Sequence, residues 1–153
     1  MMATMTLPAF ATEIIRSPDG RLVAAGLRTF ASIAKAWDLT GADIAKLLGV
    51  SRATYYRLLL IAAKEREAPL NGKAAVRAQL ADLTLQERLS LLLGIYGDLQ
   101  SYYAKDRAFG EQWVKYPNSN SVFGGHAPLE LMLSGSLVAL WTVRRFTQTM
   151  LLG

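Results

Sequence analysis

Cysteine is absent from this chain of 153 residues, and histidine occurs once, as His126. Without a thiol there is no disulfide framework, no thiolate metal site and no cysteine nucleophile, and a reducing, cytoplasmic setting is the expectation. One histidine among scattered carboxylates makes a poor metal site, so neither metal nor cofactor is expected. Ser134-Gly135-Ser136 is not a Gly-x-Ser-x-Gly elbow. Gly124-Gly125 lacks a following Gly-Lys-Ser/Thr and reads as a turn rather than a phosphate cradle. Glu65 and Glu67 fall in a charged stretch and read as solvated. No catalytic constellation remains, and the chain is not expected to be an enzyme.

Long apolar runs are missing too. The best stretch, Leu129 to Trp141, is interrupted by Glu130 and Gly135, well short of the roughly 18 uninterrupted apolar residues of a membrane span. The opening MMATMTLPAFATE has neither the basic start nor the apolar run of a signal peptide.

What is present is enough apolar material for a core: 52% of residues are hydrophobic and 19% charged. Mean hydropathy is +0.20, greasy for a small soluble monomer, which points to an apolar surface covered by a second copy or a partner. The net charge of +5 is unevenly placed. Residues 1–80 hold 11 Lys/Arg against 6 Asp/Glu, whereas residues 81–153 hold six of each. A one-sided excess of cations suits a phosphate-binding surface, because counterion release drives nucleic-acid binding.

Periodicity is helical throughout, and no alternating strand pattern persists. Pro8, Pro18 and Asp19-Gly20 mark residues 1–18 as a loose arm. Leu22, Leu27, Phe30, Ile33, Ala34 and Trp37 predict a helix over about 20–36. Thr40-x-x-Asp43 is a capping-box start, and Gly49 a left-handed stop. Ser51 then caps a helix from Arg52 to about Ala63. KEREAPLNGK, with Pro69 and Asn71-Gly72, reads as a linker. Thr84 to Glu87 reads as the capping box of a long helix with a stripe of Leu85, Leu89, Leu92, Leu93, Tyr96, Leu99 and Tyr103. A helix around Phe109 and Trp113 stops at Pro117, a short one runs over 128–134, and a last one spans 136–152. The fold class is all-α.

LGVSRATYYRLL (48–59) has the spacing of a helix-turn-helix. Ala45 allows close helix crossing, Gly49 the turn, and Val50 and Leu58 the tie to the core, with Tyr55 partly buried. Ser51, Arg52, Thr54, Tyr56 and Arg57 are then left at the front of the second helix, the end that enters the major groove. Arginine pairs with guanine edges or phosphates, and hydroxyls hold phosphates. A helical hairpin that uses the same packing without touching DNA is the competing reading.

The carboxy-terminal half carries a more specific pattern: RLSLLLGIYGDL (88–99), Trp113, Pro117-Asn118, Phe123-Gly124-Gly125, PLELMLSGSL (128–137) and VRRF (143–146). This array resembles the Xre/MbcA/ParS-type antitoxins, partners of RES-domain toxins in type II toxin–antitoxin systems. The resemblance covers most of the chain from about residue 37. It implies a dimerising helical antitoxin with an amino-terminal helix-turn-helix and a carboxy-terminal toxin-binding domain. It also implies a toxin that consumes NAD⁺, docking over that toxin's active site, and autorepression of the operon. The chain departs from the usual pattern in a longer 64–82 connection, a bulkier residue at Trp141 and an apolar MLLG ending.

The organisation expected is an arm (1–18), a helix-turn-helix with dimerisation helices (19–100) and a toxin-binding domain (101–153). Trp141, Arg144, Arg145, Phe146 and Met150 are the candidate toxin contacts, since aromatics and arginines anchor interfaces. A guanidinium there is a candidate to enter a pocket shaped for the pyrophosphate of NAD⁺. Adjacent helical residues point about 100° apart, however, so one of the two arginines is then merely solvated. Trp113 and Phe123 read as core. The expected partners are a cognate RES-domain toxin, operator DNA and a second copy of the chain, with no membrane. The alternatives are a stand-alone helix-turn-helix repressor and a pure protein-binding module with a vestigial motif.

Overall fold

The computed structural model describes residues 21–65 and 82–153, and every regular element among them is helical. The expected arm, and all but the first residues of the KEREAPLNGK linker, lie outside the described residues. In order the elements are α1 (Arg21–Ala36), α2 (Gly41–Leu48), α3 (Arg52–Glu65), α4 (Leu83–Tyr102), α5 (Arg107–Gln112), a 3₁₀ turn (Trp113–Lys115), α6 (Pro128–Met132) and α7 (Leu137–Leu152). No helix among the described residues is long and apolar enough to cross a membrane.

Local signals set most of these boundaries. α1 buries Val23, Leu27, Phe30, Ile33 and Ala34. It ends in a turn where Asp38 takes a left-handed φ of 56° and Trp37 folds back, 1% exposed, edge-on to Phe30. In α2, Thr40 and Asp43 form the reciprocal capping box, and Gly49 closes the helix at φ 70°. Ser136 caps α7, and Pro128 opens α6. The start of α4 differs from expectation. Asp82, not Thr84, is the cap, its carboxylate accepting from the Leu85 N–H at 2.8 Å. Two competent cap residues stand within three positions, and the helix takes the earlier one, leaving Glu87 free to accept from the Trp141 indole.

α4 is the centre of the molecule. It packs against α1, α2, α5 and, most extensively, α7. The leucines of the expected stripe are buried and its Tyr96 and Tyr103 half-buried, but Gln86, Ser90, Leu91, Gly94, Ile95 and Asp98 are buried too, because helices cover several sides of α4. One hydrophobic cluster therefore runs from α1 through the helix-turn-helix to Leu140 and Val143 of α7. The 19–100 and 101–153 stretches share it.

Inside that cluster lies a charge pair. Arg144 of α7, with no exposed surface, donates through Nη1 to Asp98 Oδ2 on α4, and Thr147 Oγ1 donates to the same oxygen at 2.7 Å. Gly94 makes the room: a Cβ there would fall 2.3 Å from Arg144 Nε. Burial lowers the Arg144 pKa and raises that of Asp98, in each case outweighing the attraction between them. Arg144 Nε and Nη2 have no hydrogen-bond partner among the described residues. Desolvating two charges costs more than an imperfectly bonded pair returns, whereas removing one partner strands the other. Arg144→Met alone or Asp98→Leu alone should lower unfolding free energy by about 3–5 kcal/mol. The two together should recover most of that loss in urea denaturation, because Thr147 keeps the Arg144 carbonyl as an alternative acceptor.

Candidate nucleic-acid and partner interfaces

α2, the Gly49 turn and α3 form the first surface. Ala45 is buried at the helix crossing, Val50 is half-buried, and Tyr55, Leu58 and Ala62 form the inward side of α3. Tyr55 is only 4% exposed, deeper than the partial burial expected, and burial raises its phenol pKa. With that side inward, the opposite side of α3 presents Ser51, Arg52, Ala53, Tyr56, Arg57 and Leu60 to solvent. Thr54 is half-buried.

The predicted set is thus brought together at the front of α3, but its members are not equivalent. Ser51 Oγ accepts from the Thr54 N–H at 3.1 Å and donates to Thr54 Oγ1 at 2.9 Å, so these two hydroxyls already serve the helix start. Tyr56 bends away from the helix axis onto the amino-terminus of α2, where a Cβ on Gly41 would lie 2.2 Å from its hydroxyl. Arg52 and Arg57 are the exposed cations. Ala53, not singled out from sequence, lies between them on the exposed side, and a small apolar residue in that place fits a thymine methyl. A helical wheel anchored on Tyr55 and Leu58 finds it.

Arg88 of α4 braces the motif from behind. Its Nη1 donates to the Leu47 carbonyl at 3.3 Å and its Nη2 to the Gly135 carbonyl at 2.9 Å. The side chain lies flat on Gly49, where a Cβ would meet Nε at 2.8 Å.

The second surface is the outer side of α7 with the loop before α6. Trp141 is 41% exposed, and its Nε1 donates to Glu87 Oε1 at 3.0 Å. Arg145 is exposed. Phe146 is half-buried, stacked on Trp113 with centroids 5.9 Å apart and edge-on to Phe123 at 4.9 Å. Met150 is half-buried against the core. Trp113 and Phe123 are buried. Arg144 corrects the expectation set for it. It faces α4 and Asp98, so its guanidinium is closed to a partner. Val138 and Leu152 are both well exposed and extend the apolar surface; Val138 was not anticipated, whereas Leu152 belongs to the apolar MLLG ending noted in the sequence.

The Pro117–Ala127 loop is tied by its own backbone. Asn118 Oδ1 accepts from Asn120 N–H, Asn120 Oδ1 accepts from Val122 N–H, and Asn118 exchanges backbone bonds with Gly125 and His126. Gly124 and Gly125 take positive φ, a turn as read from sequence. His126 is exposed, its Nδ1 3.0 Å from Glu130 Oε2. No group of three or more potential metal ligands gathers among the described residues.

Gly49→Ala should cost about 1–3 kcal/mol in urea denaturation, since φ 70° is unfavourable to any side chain and the new methyl meets Arg88.

Comparison with known proteins agrees with this geometry. Residues 21–94 match the family described as Antitoxin Xre-like helix-turn-helix domain, a span that contains α1 to α3 and the amino-terminal half of α4. Uncharacterized protein y4oB of Sinorhizobium fredii (strain NBRC 101917 / NGR234) is 32% identical over 141 residues, covering 88% of this chain and 94% of its own. No solved structure matches the chain. The chain therefore belongs to one family with y4oB, and its residues 21–94 are similar to the Xre-like helix-turn-helix domain of antitoxins.

Proposed function

We propose that this chain is an antitoxin that neutralises a cognate, NAD⁺-consuming RES-domain toxin by covering its active site, and that as a homodimer it represses its own operon through α2 and α3. The observation that carries the reading is the presence of two separate exposed surfaces on one core. The front of α3 offers Arg52 and Arg57, and the outer side of α7 offers Trp141 and Arg145 among exposed apolar residues. The first suits phosphates and base edges. The second has the aromatic and arginine anchors of a protein interface. The RES pairing rests on the resemblance of the 88–146 array.

Arg145 is then the arginine that meets the toxin. A pocket that holds a pyrophosphate is lined by donors and cations, which repel a guanidinium. The counterpart of Arg145 is therefore a carboxylate at the rim of that pocket, where a bidentate pair forms. Phe146 and Met150 support the surface from its inner edge.

Toxin neutralisation is tested with the product of the adjacent gene, by following its NAD⁺ consumption with and without this chain. Arg145→Glu should abolish protection while leaving thermal stability unchanged. Unaltered protection would remove Arg145 from the interface.

For DNA, Arg52→Ala with Arg57→Ala should weaken binding to the fragment upstream of the chain's own gene. The slope of log affinity against log salt should fall by about 1–2 if the lost contacts are phosphates. Equal affinity for wild type and variant would leave the motif a packing device.

A further inference from the structure

Val122 is held out from the loop between Asn118 and His126, 45% exposed, although its neighbour Phe123 is only 5% exposed and anchored in the core. Two open clefts flank it. Thr142, Arg145, Phe146 and Thr149 of α7 line one with Val122. Phe123, His126, Glu130 and Leu131 line the other, again with Val122.

The two clefts differ in charge. In the first, Thr142 Oγ1 donates to the Val138 carbonyl at 2.8 Å and Thr149 Oγ1 to the Arg145 carbonyl at 2.9 Å. Both hydroxyl hydrogens are in use, so the Arg145 guanidinium is the donor left for a visitor. In the second, Glu130 supplies an exposed carboxylate beside His126. Between them stands an apolar knob on a loop whose own hydrogen bonds fix it in place, so little ordering entropy is lost when a partner covers it.

From this arrangement we propose that Val122, with Arg145 on one side and Glu130 on the other, is a polar-flanked docking knob. It fits a toxin surface with an apolar socket bordered by a carboxylate, opposite Arg145, and by a lysine or arginine, opposite Glu130. The inference rests on the toxin-binding reading above and extends that surface from α7 onto the Pro117–Ala127 loop and α6. Opposed charges at the two rims also fix the direction of docking, because the reversed orientation sets like charges together.

The experiment is calorimetric titration of this chain against the purified product of the adjacent gene, for wild type, Val122→Asp, Glu130→Lys and Arg145→Glu. Circular dichroism verifies the fold of each, and Val122→Ser replaces Val122→Asp if the latter does not fold. All three sites are exposed, so the fold should hold. Affinity should fall about tenfold or more in each variant. Wild-type affinity in the folded Val122 variant would overturn the knob while leaving the antitoxin reading intact. Weakening at Val122 with no loss in Glu130→Lys would overturn the charge assignment. Failure of the wild-type chain to bind would overturn both the toxin-binding reading and this extension of it.

Discussion

The contact between Arg144 and Asp98 decides which side of α7 the rest of the molecule can use. A helix laid along α4 by apolar packing alone has several rotations available, since Leu137, Leu140, Val143 and Phe146 form a broad stripe. Arg144 narrows them. Its guanidinium fits only where Gly94 leaves space and where Asp98 and Thr147 meet it. With that residue turned inward, the geometry of about 100° per residue carries Val138, Trp141 and Arg145 to the outside. Both members of the pair shift their pKa in the direction that burial imposes. Its contribution is therefore to the rotation of α7 more than to stability, as for other buried polar contacts that select one packing over its neighbours.

Arg88 extends the same logic to the other surface. One side chain on α4 satisfies a carbonyl at the end of α2 and the carbonyl of Gly135, just before the cap of α7. A cation at the carboxy-terminus of α2 is also favoured by the helix dipole. Gly135 packs in turn on Lys46 of α2, with space for a Cβ only 3.2 Å from the lysine stem. The turn that presents α3 and the turn that begins α7 are thus fastened to one point on α4. The placement of α3 and of α7 is a single structural decision.

Much of this was legible in the sequence where the cause is local. The α2 capping box, the Gly49 stop, the Ser51 cap and the exposed front of α3 follow from spacing and side-chain chemistry over a few residues. The misses have longer-range causes. Thr84 and Asp82 are both able caps, and which of them stops the chain depends on how α4 meets its neighbours. Asp98 looks like part of a solvated face until Arg144 and Thr147 of α7 cover it. Above all, the Arg144-Arg145 pair could be read as pointing two ways. The choice between them is made by Asp98 and Gly94, some fifty residues earlier in the chain. Val122 was hidden for a related reason: Phe123 beside it is a core residue, and the turn that separates their fates is built by two asparagine side chains.

Under the proposed function the two surfaces would hold their partners by different physics, and the charge distribution agrees with that. At α3 the useful groups are exposed cations, whose grip on phosphates depends on counterion release and weakens with salt. At α7 one of the two arginines is withdrawn into the core against Asp98, so the outer side keeps a single guanidinium among Val138, Trp141 and Leu152. That surface gains mainly from removing apolar area from water, which salt does not screen. A partner bound there would stay bound under ionic conditions that loosen a grip on DNA. The even charge count of residues 81–153, against the basic excess before them, agrees with such a division of labour.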